Sequence, residues 1–210
     1  MTMDNSEKII LDLCGGTGAW SRPYKEAGYD VRLVTLPEQN VLTYDPPEGV
    51  YGILAAPPCT EFSLAKGGQP RDFQGGMNIV SACLRIIWKC RTNGNLKFWA
   101  LENPVGFLRQ FIGHLHFTFE QWQYGGDKRK ATDLWGYFKE PTPTVKEFPL
   151  KDYTQKNPCG SSNGRAWGKR TYPAEYTEYI QSIKGYAAQR AAARAITPPG
   201  FAHAFFKANQ

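Results

Sequence analysis

The 210-residue chain contains no apolar run near the roughly 20 residues that cross a bilayer, and no charged-then-apolar leader opens it. A membrane span and an export signal are therefore not expected. Histidine is scarce, at three residues, and the five cysteines are odd in number and scattered, with no CxxC pair. That pattern argues against a disulfide framework and against a structural zinc site, so no metal is expected and a reducing, cytoplasmic setting fits best. GxGxxG and GK[ST] are both missing, as are internal repeats and low-complexity tracts. The usual phosphate-loop signatures and repeat architectures are thereby set aside.

Positive charge is also missing, from one half only. Residues 1–104 carry 10 Lys/Arg against 11 Asp/Glu, whereas residues 105–210 carry 15 against 8. A neutral half joined to a basic half suits a polyanion docked on the second, although a solvated basic face has the same composition.

Short apolar runs alternate with helical patterns through the first hundred residues, which predicts a parallel α/β sheet. "KIILDL" (8–13), "YDVRLVTL" (29–36), "YGILAAP" (51–57) and "LKFWALEN" (96–103) read as strands. A short helix is expected around 21–27 and a longer one over 77–92, with Cys83 and Cys90 on its buried face. After residue 140 the texture changes to a Pro-, Gly- and Lys/Arg-rich stretch without periodicity, read as a loop-dominated insertion. A helix over 173–183 and a last one opened by Thr197 as N-cap and Pro198 at the first helical position complete the expectations.

Three of the predicted strands end in chemically pointed loops, and carboxyl ends of parallel strands share one crevice. "LDLCGGTGAWS" (11–21) has Gly15, Gly16 and Gly18 for close backbone approach to a ligand. Asp12 just before it would repel a pyrophosphate but accept bonds from an ammonium, which favours S-adenosyl-L-methionine over nucleotides or flavins. "AAPPCTEFS" (55–63) presents Cys59 behind Pro57 and Pro58, whose fixed φ angles make a stiff support for a thiol. That thiol is a nucleophile if positive charge or a helix N-terminus lowers its pKa, and an inert core residue otherwise. "ALENPVG" (100–106) ends an apolar strand on Glu102 and Asn103, where a carboxylate is costly unless solvated or paired.

Taken in order, these segments resemble the cytosine-5 DNA methyltransferases of bacterial and phage type. The family's D-L-F-x-G-x-G-G-x-S compares with "DLCGGTGAWS", its G-G-x-P-C-x-x-F-S with "AAPPCTEFS", and its Glu-Asn-Val with "ENP". Its basic Q-x-R-x-R segment has a looser counterpart in "DKRKATDLWG" (127–136), and its last motif in "AITPPGFAHAFFKA" (195–208). The resemblance implies a Rossmann-like α/β methyltransferase fold with a mostly parallel sheet. It divides the chain into a catalytic and cofactor-binding core (1–140), a reduced target-recognition insertion (141–186) and a C-terminal segment returning to the core (187–210).

The same resemblance implies roles. Cys59 adds to C6 of a flipped cytosine, Glu102 is the acid at N3, and Asn103 helps hold loop and base. Asp12, Leu13, Gly15, Gly18, Trp20, Thr35 and Pro57 are expected around S-adenosylmethionine, and Lys128, Arg129, Lys130, Arg165, Lys169 and Arg170 on DNA phosphates. Three departures stand out. Cys14 replaces the phenylalanine that usually meets the adenine, with Trp20 expected to compensate. Thr35, with Glu38 further on, stands where an acidic residue usually meets the ribose. The target-recognition region is short, which implies a permissive target, an accessory subunit or a homo-oligomer. The alternatives are a methyltransferase-like DNA-binding protein with little or no turnover, and an amino-group DNA methyltransferase.

Overall fold

The computed structural model describes residues 4–126, 129–148 and 174–210. Among these lies a six-stranded sheet that is parallel except at one edge. In chain order the strands are β1 (Ile9–Leu13), β2 (Asp30–Val34), β3 (Val50–Ala55), β4 (Phe98–Pro104), β5 (Phe117–Glu120) and β6 (Ala131–Tyr137). In space they lie β2-β1-β3-β4-β6-β5, with β1 to β4 parallel and β6 antiparallel to both β4 and β5. The helices are α1 (Arg22–Glu26), α2 (Phe73–Thr92), α3 (Arg109–Ile112), α4 (Thr177–Ser182), α5 (Tyr186–Ala195) and α6 (Pro199–Ala208).

The continuous apolar runs of β1 and β3 follow from their position. Strands inside a parallel sheet are covered on both faces and have no polar side to display. On one face Leu11, Ile53 and Leu101 pack with Val80, Cys83 and Ile86 of α2. On the other, Ile10, Leu54 and Ala100 pack with Tyr24 of α1 and with Phe201 and Phe205 of α6. Phe201 lies 4.0 Å from the Phe119 ring, nearly parallel to it. Burying each phenylalanine of α6 contributes about 2–3 kcal/mol. The chain end is pinned by Asn209, which accepts from the Lys139 N–H (2.8 Å) and donates to the Lys139 carbonyl (3.0 Å).

The register positions the site. Leu13 pairs with Val34 and Ala55, and Ala55 pairs with Leu101. The four parallel strands therefore reach one level together, and the next residues, Thr35, Cys14, Ala56 and Glu102, form a row across their carboxyl ends. The chain runs from β1 to β2 on one side and returns past β1 to β3 on the other. That reversal of winding opens a crevice between the loops after β1 and β3.

Several expectations change. The longer helix begins at Phe73, because the Asp72 carboxylate caps it by accepting from the Gly75 N–H at 2.8 Å. The last helix begins at Pro199 with Pro198 as its N-cap, in place of the expected Thr197 and Pro198. A residue followed by proline is held out of the helical region, and Pro198 is accordingly extended (φ −57°, ψ 131°). The β5–β6 hairpin and α5 are additions to the sequence reading. Most of the insertion expected over 141–186 lies outside the described residues.

Candidate active site

After β1 the chain turns at once. Cys14 adopts a positive φ of 58° while its N–H donates to the Val34 carbonyl (2.8 Å), which keeps the loop level with β2. Gly16 and Gly18 also have positive φ, where a side chain is strained. The Asp12 side chain folds beneath the loop, so a β-carbon on Gly15 would overlap its carboxylate. Asp12 is fully buried, and the Ser21 hydroxyl donates to its Oδ2 at 2.6 Å. This diverts Ser21 from capping α1, which begins without a side-chain cap. Burial pushes the Asp12 pKa up to about 6, with Ser21 pulling the other way, and Oδ1 has no partner among the described residues. A buried acceptor without a donor is costly and marks where an external donor fits.

The loop after β3 is rigid for a different reason. The Ala56 N–H continues the ladder to the Leu13 carbonyl (2.9 Å), and the buried Asn103 side chain donates to the Pro57 carbonyl (3.1 Å). Asn103 thus clamps the base of the Pro-Pro segment from the neighbouring strand. The Cys59 carbonyl accepts from the N–H groups of Phe62 (3.0 Å) and Ser63 (2.8 Å), so the thiol stands at the head of a tight turn. Arg71 holds the outgoing arm, donating to the carbonyls of Glu61 (2.6 Å) and Ser63 (3.0 Å) while lying over the Phe107 ring. Gly106 runs so close to the Phe62 carbonyl that any β-carbon there would overlap it. The glycine of "ENPVG" therefore serves to bring the two loops together.

Glu102 follows the last β4 residue level with Leu13 and borders a narrow cleft that is partly open to solvent. Trp20, Lys130, Thr132 and Pro198 also line it. Burial raises the Glu102 pKa, Lys130 opposes the rise, and Asp133 adds to it. Asp133 itself is held by Arg109, which donates to both carboxylate oxygens (2.6 and 2.7 Å), and by the Thr118 hydroxyl (2.7 Å). The Cys59 thiol is pushed up by burial and then by the Glu102 carboxylate, while Lys130 and Arg194 pull it down. Glu102 and Lys130 thus both act on Cys59, and Lys130 acts on Glu102, across the ends of β3, β4 and β6. The expected lowering of the thiol by positive charge is outweighed by burial and Glu102.

Other candidate residues fall as follows. Leu13 is fully buried and its side chain packs in the α2-side core. Trp20 is buried against Phe201 and Phe205, not displayed on the glycine loop, and its indole N–H, at the edge of the Glu102 cleft, has no partner among the described residues. Helix α6 supplies the aromatic surface that draws it in. Pro57 is buried, and Thr35 follows β2 beside the Tyr179 hydroxyl. Lys130, grouped with the phosphate-binding residues by sequence, lines the cleft with Glu102, because β6 pairs antiparallel with β4 and so begins at the carboxyl end of that strand. Arg129 lies over the Phe148 ring at 4.3 Å. Lys128, Arg165, Lys169 and Arg170 lie outside the described residues. Arg194, Arg71 and Tyr179 went unread as site residues, and Lys130 was read only as a phosphate contact.

No protein-family model matches the chain, and no curated protein matches it in sequence. Among solved structures it is similar to the crystal structure of the 23S rRNA methyltransferase ErmE, at 14% identity over 97% of this chain and 91% of that one. The TM-score is 0.33, a likeness too loose to bear on function.

Proposed function

We propose that the chain is an S-adenosylmethionine-dependent DNA methyltransferase acting on C5 of cytosine. One observation carries the reading: a stiffly held cysteine and a half-buried glutamate on neighbouring strand ends, with the glutamate carboxylate raising the thiol's pKa and a lysine acting on both. The motif order of the sequence and the site chemistry point the same way.

The residues after β1 fit the cofactor. The unpartnered Asp12 Oδ1 suits an ammonium donor, and Gly18 leaves room for close approach. Bound there, S-adenosylmethionine supplies an electrophilic methyl group.

Cytosine C5 is a weak nucleophile until a thiolate adds to C6. The Cys59 thiolate forms the S–C6 bond while Glu102 gives its proton to N3, leaving C5 electron-rich enough to take the methyl group. Loss of the C5 proton then expels the Cys59 thiolate, and N3 returns its proton to Glu102. The coupling suits this order, because a protonated Glu102 no longer opposes ionisation of Cys59, and Lys130 favours the thiolate. A cytosine within a duplex must first leave the stack, at about a few kcal/mol.

Duplex DNA bearing 5-fluorocytosine tests the reading, since fluorine cannot leave C5 as a proton does. The expected product is a covalent complex that requires S-adenosylmethionine and maps to the peptide containing Cys59, and that Cys59→Ser abolishes. Trapping through Cys14, or wild-type methylation by Cys59→Ser, rejects the assignment. Exocyclic amino methylation without an adduct identifies the amino-group enzyme instead.

A further inference from the structure

In nucleotide-binding α/β folds the residue that meets the ribose hydroxyls follows the second strand, about 20 positions after the glycine loop, and is usually acidic. Thr35 occupies that place here: it follows Val34 of β2, level with Cys14. It brings a hydroxyl and no charge.

Another element comes to the same spot. Helix α4 docks on the glycine loop, with Ala19 buried against Tyr176 and Ile180. The residue before this contact, Glu175, forms an ion pair with Arg22 at the start of α1. The Tyr179 hydroxyl reaches over the loop, so that a β-carbon on Gly16 would lie 3.4 Å from it, and it interacts with the Thr35 side chain. Tyr179 is only partly buried. Its hydroxyl therefore borders both the glycine loop and the end of β2, the two edges between which a nucleoside would lie.

We propose that Tyr179 and Thr35 together form the ribose-binding end of the cofactor site, two neutral hydroxyls doing the work of a carboxylate, with α4 as a wall of that site. Each hydroxyl is both donor and acceptor, so the pair matches the donors and acceptors of a vicinal diol without burying a charge. Helix α4 thereby becomes part of the binding site although it lies more than 140 positions along the chain from Thr35. The inference rests on the S-adenosylmethionine reading above.

Calorimetry with S-adenosylhomocysteine and with its analogue lacking the 2′ and 3′ hydroxyls tests it. The wild type should prefer the parent ligand by about tenfold, the worth of one or two neutral hydrogen bonds. Tyr179→Phe keeps the ring and its packing, and should weaken the parent about fivefold while leaving the analogue unchanged, so that the preference largely collapses. Thr35→Val should act in the same way. An undiminished preference in Tyr179→Phe overturns the proposal, as does equal weakening of both ligands, which would reduce Tyr179 to packing. Tighter binding in that variant also overturns it, by making Tyr179 a plug. If the wild type binds neither ligand, the cofactor reading itself falls.

Discussion

The ends of β1 and β4 each carry a carboxylate, fully buried at Asp12 and half-buried at Glu102, and loss of solvent raises the pKa of both. Their neighbours differ. Among the described residues Asp12 has one hydroxyl donor, no cation acting on it, and one oxygen without a partner. Glu102 has Lys130 and Asp133 acting on it and in turn acts on Cys59. One desolvation force thus yields two kinds of acid. Asp12 is suited to receive an outside donor, whereas Glu102 is set in a circuit with a thiol and an amine and is suited to exchange a proton.

The comparison breaks most visibly at Glu102. Glu102→Gln keeps shape but cannot give N3 a proton, so methyl transfer should fall by about 10²- to 10⁴-fold with cofactor affinity unchanged. Single-turnover rates beside calorimetry check this; a parallel loss of cofactor affinity would make Glu102 a second Asp12.

Asp12→Asn should show the opposite pattern. The folded-state pKa of Asp12 is raised from 3.8 to about 6, so the native state holds its proton more tightly than the unfolded chain. Its contribution to stability is therefore fullest at low pH and is lost as pH rises through about 4 to 6. The loss is at most about 3 kcal/mol. The amide still accepts from Ser21, so Asp12→Asn should stabilise the fold at pH 8, leave it nearly unchanged at pH 4, and weaken S-adenosylmethionine binding. Thermal unfolding at the two pH values measures the first part; a variant less stable at pH 8 would mean that Asp12 has a partner in solution.

Gly15→Ala presses a methyl against the Asp12 carboxylate. It should destabilise by about 1–3 kcal/mol in denaturant unfolding. The double variant Gly15→Ala with Asp12→Gly should recover most of that loss, since the clash is with that one side chain.

Lys130→Met should have the mildest effect, raising the pH at which Cys59 reacts with iodoacetamide and slowing alkylation about tenfold at pH 7.5. Neutralising Lys128, Arg165, Lys169 and Arg170 should flatten the salt dependence of DNA binding by about one unit for each phosphate that is no longer neutralised. Lys130→Met should leave that slope unaltered; a flattened slope would return it to the phosphate-binding group.

Much of the framework was readable in one dimension because parallel strands and their loops have local signatures. The apolar runs marked β1 to β4, and glycine or Pro-Pro punctuation marked the loops after β1 and β3. Helix α2 was read late because Gly75 and Gly76 weaken a helical pattern, whereas the Asp72 cap that starts it is a three-dimensional bond. The β5–β6 hairpin escaped because "ATDLWGY" mixes polar and apolar residues. Its Asp133 belongs inside only with Arg109 and Thr118 beside it.

Sequence alone determined that Cys59, Glu102 and the glycine loop would meet, since residues at the carboxyl ends of parallel strands are forced onto one edge whatever lies between them. Only the tertiary structure decided what surrounds them. The fold turned Trp20 inward onto α6, aligned Lys130 beside Glu102, and brought Tyr179 over Gly16 to Thr35. The reason is physical: strand-end placement follows from local periodicity, but the charge and burial around a side chain depend on residues far away in the chain. The antiparallel pairing of β6 and the docking of α4 supply those neighbours, and neither leaves a mark in any short stretch of sequence.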